Sequence, residues 1–145
     1  MASHTMTDEQ VRDFLGSDPP RTAKLATVRA DGRPHVAPIW FALDGDGSLV
    51  FNTGADTVKG RNLRRDPRVS LCVDDDTPPF SFAVVEGVAS TTEDPEELRR
   101  WATLIGGRYM GADRAEEYGA RNGVPGELLV RVKISRVTAA RDLAE

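Results

Sequence analysis

The chain has 145 residues, 39% apolar and 29% charged, with 19 basic against 23 acidic residues and a net charge of −4. That length suits one domain, and the acidic balance argues against a protein that binds nucleic acid mainly by electrostatic attraction. No stretch approaches the roughly 20 apolar residues that cross a bilayer, and one cysteine, Cys72, forbids an internal disulfide or a cysteine-built zinc cage. The opening MASHTM lacks the apolar core of a signal peptide. It reads as a vector-derived scar ahead of Met6, so residues 1–5 are set apart from one cytoplasmic domain over 6–145.

Thr7–Gly16 predicts a short helix, with Thr7 and Gln10 at capping-box spacing and Pro19-Pro20 stopping the chain beyond it. Three strands follow, over 22–29, 35–43 and 48–53, separated by turns around Asp31-Gly32 and Asp44-Gly45-Asp46-Gly47. Together they predict a β-meander. The period then changes to helical over Asp56–Asp66, with Asp56 or Thr57 as N-cap and Pro67 just beyond. Strands are expected over 68–74 and 80–90, the second interrupted by Gly87. A helix over 93–109 opens on Asp94-Pro95-Glu96-Glu97, and a shorter one covers 113–121. Glu127–Val137 closes the chain with Leu128, Val130, Val132 and Ile134 facing one way. The fold class is therefore mainly β with flanking helices, as a closed or nearly closed six-stranded antiparallel barrel.

Basic charge gathers in one place: Lys59, Arg61, Arg64, Arg65 and Arg68 fall within ten residues on the helix after Gly54-Ala55-Asp56-Thr57. A helix N-terminus offers unpaired N–H groups and a positive dipole, and Thr57, Lys59, Arg61 and Asn62 could hold a phosphate there. A solvated helix face is the plain alternative. The strand His35–Phe41, expected to pair with Val50–Gly54, sets small Ala37 and Pro38 beside large Ile39, Trp40 and Phe41. That pattern leaves either a flat apolar slot or ordinary barrel wall, with Pro38 favouring an edge or bulge. Cys72 fits a buried small hydrophobe, and Asp74-Asp75-Asp76 a solvated turn. No nucleophile–base arrangement, metal-ligand set, GxGxxG or Walker loop is present in the sequence, so no catalytic side chain and no metal are assigned. An anion cradle beside a slot points to chemistry carried by a bound cofactor.

Thr22-Ala23-Lys24-Leu25-Ala26-Thr27, then Asp31–Phe41, then Thr57-Val58-Lys59-Gly60-Arg61-Asn62-Leu63 with Asp66–Leu71, resemble the split-barrel flavin and deazaflavin oxidoreductases, the superfamily of pyridoxamine 5′-phosphate oxidase. The similarity covers nearly all of Met6–Asp142 and is greatest to small actinobacterial enzymes that use coenzyme F-420, an 8-hydroxy-5-deazaflavin. It implies a homodimer of six-stranded split barrels with cofactor sites at the interface. Carried over, Lys59 pairs with the cofactor phosphate, helped by Thr57, Arg61 and Asn62. Ala37, Pro38 and Ile39 lie along the ring, with Asn52 and Thr53 at its edge, and Arg64 and Arg65 near an oligoglutamyl tail. Thr57 stands where relatives often carry Arg. The implied reaction passes hydride from the reduced deazaflavin to an electron-poor small molecule such as an enone, quinone or tetrapyrrole. The alternatives are an FMN-dependent oxidase or reductase and a non-catalytic carrier of F-420 or a tetrapyrrole. Nucleic acid and membrane are not expected partners.

Overall fold

The computed structural model describes residues 4–145, so Met1–Ser3 of the expected scar lie outside the described residues. Thr5 bridges to Ala140, and the Met6 amide donates to the Ala139 carbonyl, so both sides of the expected scar boundary run along the final strand. Helix α1 (Asp8–Leu15) carries the anticipated capping box: the Gln10 amide donates to Thr7 Oγ1 at 3.2 Å, and the Thr7 amide to Gln10 Oε1 at 2.9 Å.

Seven strands follow: β1 (Ala23–Val28), β2 (Pro34–Ile39), β3 (Ala42–Leu43), β4 (Leu49–Gly54), β5 (Arg68–Asp75), β6 (Ser81–Thr92) and β7 (Glu127–Ala140). All pair antiparallel in one sheet, in the order β2-β1-β5-β6-β7-β4-β3. The expected fold class holds, with a correction to the count and to the meander. The strand expected over 35–43 is two strands, because the chain leaves the sheet at Trp40-Phe41. β1 and β2 form the first hairpin, but β2 does not pair with β4. The strand expected to flank it lies across a gap.

That break dictates the shape. In a flat sheet, six inter-strand gaps of about 4.8 Å would hold β2 and β3 about 29 Å apart. The three residue steps from Ile39 to Ala42 reach at most about 11 Å. The sheet must curl until its two edges meet, which gives a split barrel.

Its interior holds Leu25, Phe51, Leu71, Val85, Val130 and Val132, all nearly inaccessible. Outside the barrel, Val50 and Leu129 alternate with these residues and pack under α3 (Pro95–Met110) with Leu98, Trp101 and Ile105. This explains the unbroken apolar runs Leu49-Val50-Phe51 and Leu128-Leu129-Val130, since those strands are covered on both faces. A bulge between Glu86 and Gly87 bends β6. A Cβ on Gly87 would sit 2.4 Å from the Lys133 carbonyl oxygen, which accounts for the glycine. Cys72 is only half-buried on the outer face, opposite Lys24, rather than in the core as expected. No helix among the described residues is long and apolar enough to cross a membrane.

The crossing from β2 to β3 is held by the end of α3. Arg108, half-buried, donates to the carbonyls of Phe41 and Leu15 and lies 4.9 Å over the Phe41 ring. Tyr109 Oη accepts from the Phe41 amide at 3.3 Å and donates to the Arg21 carbonyl at 2.8 Å. Arg108→Leu leaves two buried carbonyls without their charged donor. It should lower the unfolding free energy by about 2–4 kcal/mol, read as a reduced urea midpoint at unchanged slope.

Candidate functional site

Where the two halves of the split strand part from the sheet, a cavity of about 460 Å³ opens between β2 and the end of β4. One wall is Pro38, Ile39 and Trp40. The other is Asn52, Thr53 and Gly54, and helix α2 (Val58–Arg65) points its start at the floor through Thr57 and Lys59. Asn122 of α4 (Ala115–Asn122), which follows a short 3-10 turn at Ala112–Arg114, and Glu127 at the head of β7 complete it, with Thr22 at the rim.

Local chemistry fixes the geometry of α2. Thr57 caps it: its Oγ1 accepts from the Gly60 amide at 3.1 Å and donates to the Gly54 carbonyl at 2.7 Å. A Cβ on Gly60 would lie 2.2 Å from that same carbonyl oxygen, so only glycine lets the helix start this close to β4. The first two helical N–H groups, on Val58 and Lys59, have no acceptor within the helix. The Lys59 ammonium makes no hydrogen bond or ion pair with any described residue. An uncommitted cation therefore lines the cavity at a helix end that has two orphan donors.

Six residues expected at the site line this one cavity: Pro38, Ile39, Asn52, Thr53, Thr57 and Lys59. Three lie elsewhere. Ala37 is half-buried and shares the barrel-side face with its pairing partner Leu25. Asn62 is 4% exposed and committed to the core, donating to Thr27 Oγ1 at 3.0 Å and accepting from Arg65 at 3.0 Å. Arg61 opens onto a separate concavity with Arg29, Arg33 and Arg65. The Thr57 hydroxyl, expected to help hold a phosphate, gives its proton to the Gly54 carbonyl instead. Arg64 pairs with Glu93 at 3.4 Å, and Arg65 donates to the Val28 carbonyl. Phe41, expected along the slot, is core.

Of the other cavity residues, the sequence pattern sets Trp40 along the slot without giving it a role, and it gives Glu127 no place in the site. Trp40 is half-buried with one face stacked on Tyr109, ring centroids 5.1 Å apart and 4° from parallel. It is an aromatic wall braced from behind. Glu127 Oε1 accepts from Asn52 Nδ2 at 3.2 Å, and the same amide donates to the Asn122 carbonyl. A Cβ on Gly54, the pairing partner of Glu127, would lie 3.3 Å from Glu127 Oε2 and 3.1 Å from Thr57 Cγ2. The carboxyl thus reaches the head of α2. Burial pushes its pKa above the ordinary glutamate value, partly offset by the Asn52 amide and the charge of Lys59. A lone acid ahead of an alternating apolar strand was the available signal.

A family model described as pyridoxamine 5′-phosphate oxidase matches residues 7–140. A conserved hypothetical protein of Mycobacterium tuberculosis superposes with TM-score 0.83 at 33% identity, over all of this chain and 92% of that one. An F-420 reductase superposes with TM-score 0.65 at 29% identity, over 81% of this chain and 89% of that one. A Streptomyces rimosus reductase of 5a,11a-dehydrotetracycline and 5a,11a-dehydrooxytetracycline is 40% identical over 55 residues, spanning 36% of this chain and 39% of that protein.

Because burial raises the Glu127 pKa in the folded state, its contribution to stability is present at low pH and lost as the pH rises through that raised value. Glu127→Gln removes the charge and keeps an acceptor for Asn52. Its melting temperature should exceed that of the wild type near pH 7, and the gap should close by about pH 4, where ordinary carboxyls protonate. Scanning calorimetry across that range checks the sign.

Proposed function

Since the chain belongs to the pyridoxamine 5′-phosphate oxidase family, we propose that its cavity binds a flavin-type cofactor, F-420 rather than FMN, and that it is an oxidoreductase acting on an electron-poor organic acceptor. The observation that carries this reading is the uncommitted Lys59 at the head of α2, in one cavity with the flat wall of Pro38, Ile39 and Trp40. A planar ring ending in a single anionic group fits that combination. The F-420 reductase and the dehydrotetracycline reductase among its relatives support the choice of cofactor and of an organic acceptor.

The bound cofactor, when reduced, supplies the hydride. The chain supplies position. Lys59 and the first N–H groups of α2 hold the anion, and Pro38 and Ile39 support the ring along β2. Asn52, tied to Glu127 and Asn122, fixes the opposite edge. Trp40, braced by Tyr109, keeps water from one side of the slot. A catalytic triad is not needed for this chemistry.

A second copy of the chain is proposed to close the slot. Pro38 lines the cavity and also lies on the outer face of β2, opposite Lys24, two residues from Val36. Val36, at 66% exposure, stands in register with Ala26 of β1 and Ser70 of β5. This outer face continues along β2 from Val36 to Pro38 at the cavity, so a partner seated there would cover the ring.

Titration with F-420, followed by its fluorescence and with FMN in parallel, tests the cofactor. Micromolar or tighter F-420 binding with much weaker FMN is expected. Preferential FMN binding would move the assignment to a flavin enzyme, and F-420 binding without turnover on any of a broad acceptor panel to a carrier. Lys59→Ala should weaken F-420 binding by about 2–3 kcal/mol, the range for a lost charge-assisted hydrogen bond. Unchanged affinity would remove Lys59 from the site. Val36→Glu should yield a monomer by sedimentation velocity with weakened cofactor binding, whereas a wild-type monomer would dismiss the shared slot.

A further inference from the structure

Of the eleven residues that line the cavity, one is a cation and one is an anion. Lys59 stands in the first turn of α2, and Glu127 reaches the head of that helix from β7. Glu127 comes from β7, where it pairs with Gly54, and its Oε2 approaches within 3.3 Å of the space beside Gly54 that Thr57 also borders. Neither group is neutralised by a third partner. Glu127 makes no ion pair with any described residue, and its hydrogen bond is to the uncharged Asn52 amide. The Arg residues of the neighbourhood point away or are engaged: Arg64 with Glu93, Arg65 with Val28 and Asn62, Arg68 with Asp66 at 2.8 Å. The anion cradle therefore carries one positive charge, the partial positive charge of a helix end, and one carboxylate at its border.

We propose that Glu127 is a specificity-determining residue, a charge filter that admits a singly charged phosphodiester and penalises a doubly charged phosphomonoester at the head of α2. The inference rests on the reading of this cavity as the cofactor site, and it deepens that reading by stating which kind of phosphate the cofactor carries. A phosphomonoester such as that of FMN holds between one and a half and two negative charges near neutral pH, about twice that of a diester. Lys59 and the α2 dipole balance the single charge of a diester such as that of F-420. Repulsion from Glu127 scales with the charge brought in, so a monoester meets about twice the penalty that a diester does. Repulsion between like charges a few ångströms apart is worth a factor of ten or more at an effective dielectric constant of about 20. Asn52 matters as well. By donating to Glu127 and to the Asn122 carbonyl together, it pins the carboxyl at the cradle and keeps it from swinging out to solvent.

The test compares Glu127→Gln with the wild type by fluorescence titration of three ligands: F-420, FMN and riboflavin, the last having FMN's ring and no phosphate. Glu127→Gln should bind FMN about tenfold or more tightly than the wild type does, F-420 should gain by about the square root of that factor, and riboflavin should move less than about twofold. Unchanged FMN affinity would overturn the filter. So would a common shift of all three ligands, which is what a merely structural role for the Asn52 contact would give. Failure of F-420 to bind either protein would sink the cofactor assignment instead, and the FMN-to-riboflavin comparison would still judge the filter. Should Glu127→Gln lose its cooperative melting transition, Glu127→Thr, which also removes the charge and suits a strand, carries the same comparison.

Discussion

The architecture depends on a two-residue crossing. Trp40 and Phe41 carry the chain from β2, at one edge of a seven-stranded sheet, to β3 at the other edge. So short a link can be made only if the sheet curls on itself, and what keeps it made is the end of α3. Arg108 donates to the Phe41 carbonyl of the crossing and ties it to the Leu15 carbonyl at the end of α1, and the Tyr109 hydroxyl accepts from the Phe41 amide. The backbone of Phe41 has its polar groups satisfied by side chains rather than by a sheet neighbour. It can therefore leave the ladder without the cost that unpaired buried backbone groups would bring.

The cavity is a by-product of the same constraint. β2 and β4 would be neighbours in a meander, with their backbones sealed together by hydrogen bonds. Because β4 pairs instead with β7 and β3, a gap remains along β2. Pro38, which withholds a donor, keeps that edge from recruiting another strand. Into the gap the end of β4 delivers α2, brought close by the missing side chain of Gly60. The apolar wall of β2 and the head of α2 thus come from two segments distant in sequence, joined by barrel closure rather than by direct pairing.

Much of this was legible in the residues. Helix ends carried by Thr7, Thr57 and Pro95, and the turns at Gly32 and Gly47, each with φ of +88°, have local chemical causes and fall where the sequence places them. The candidate site was legible where residues sit next to each other along the chain, as in Asn52-Thr53 and Thr57–Lys59. It failed where periodicity says nothing about partners. An apolar run such as Ile39–Leu43 looks like one strand whether or not it turns from one sheet edge to the other. Asn62 lies one helical turn from Lys59, yet its amide is drawn inward by Thr27, which sits 35 residues away and is 1% exposed. Ala37 shares the barrel-side face of β2 with Ile39 but lies two residues back from the break in the strand, and the cavity begins at Pro38. Glu127 joins the site through a register that no short-range signal encodes.

The aromatic end of the cavity can vary while the head of α2 stays fixed. Lys59, Thr57 and Gly60 are tied to β4 through the Gly54 carbonyl, so their geometry moves only if the barrel moves. Trp40 and Asn52 lean instead on the α3–α4 hairpin, through Tyr109, Tyr118 and the carbonyl of Asn122. That hairpin contributes little to the barrel interior, since its apolar residues pack on the outside of β4 and β7. Changes in the 106–126 segment can therefore reshape the aromatic wall and the far edge of the slot without disturbing the head of α2. The exception is the end of α3, where Arg108 and Tyr109 serve the crossing and the wall at once. A substitution there acts on stability and on the site together, and it is the one part of the hairpin in which the two cannot be tuned apart.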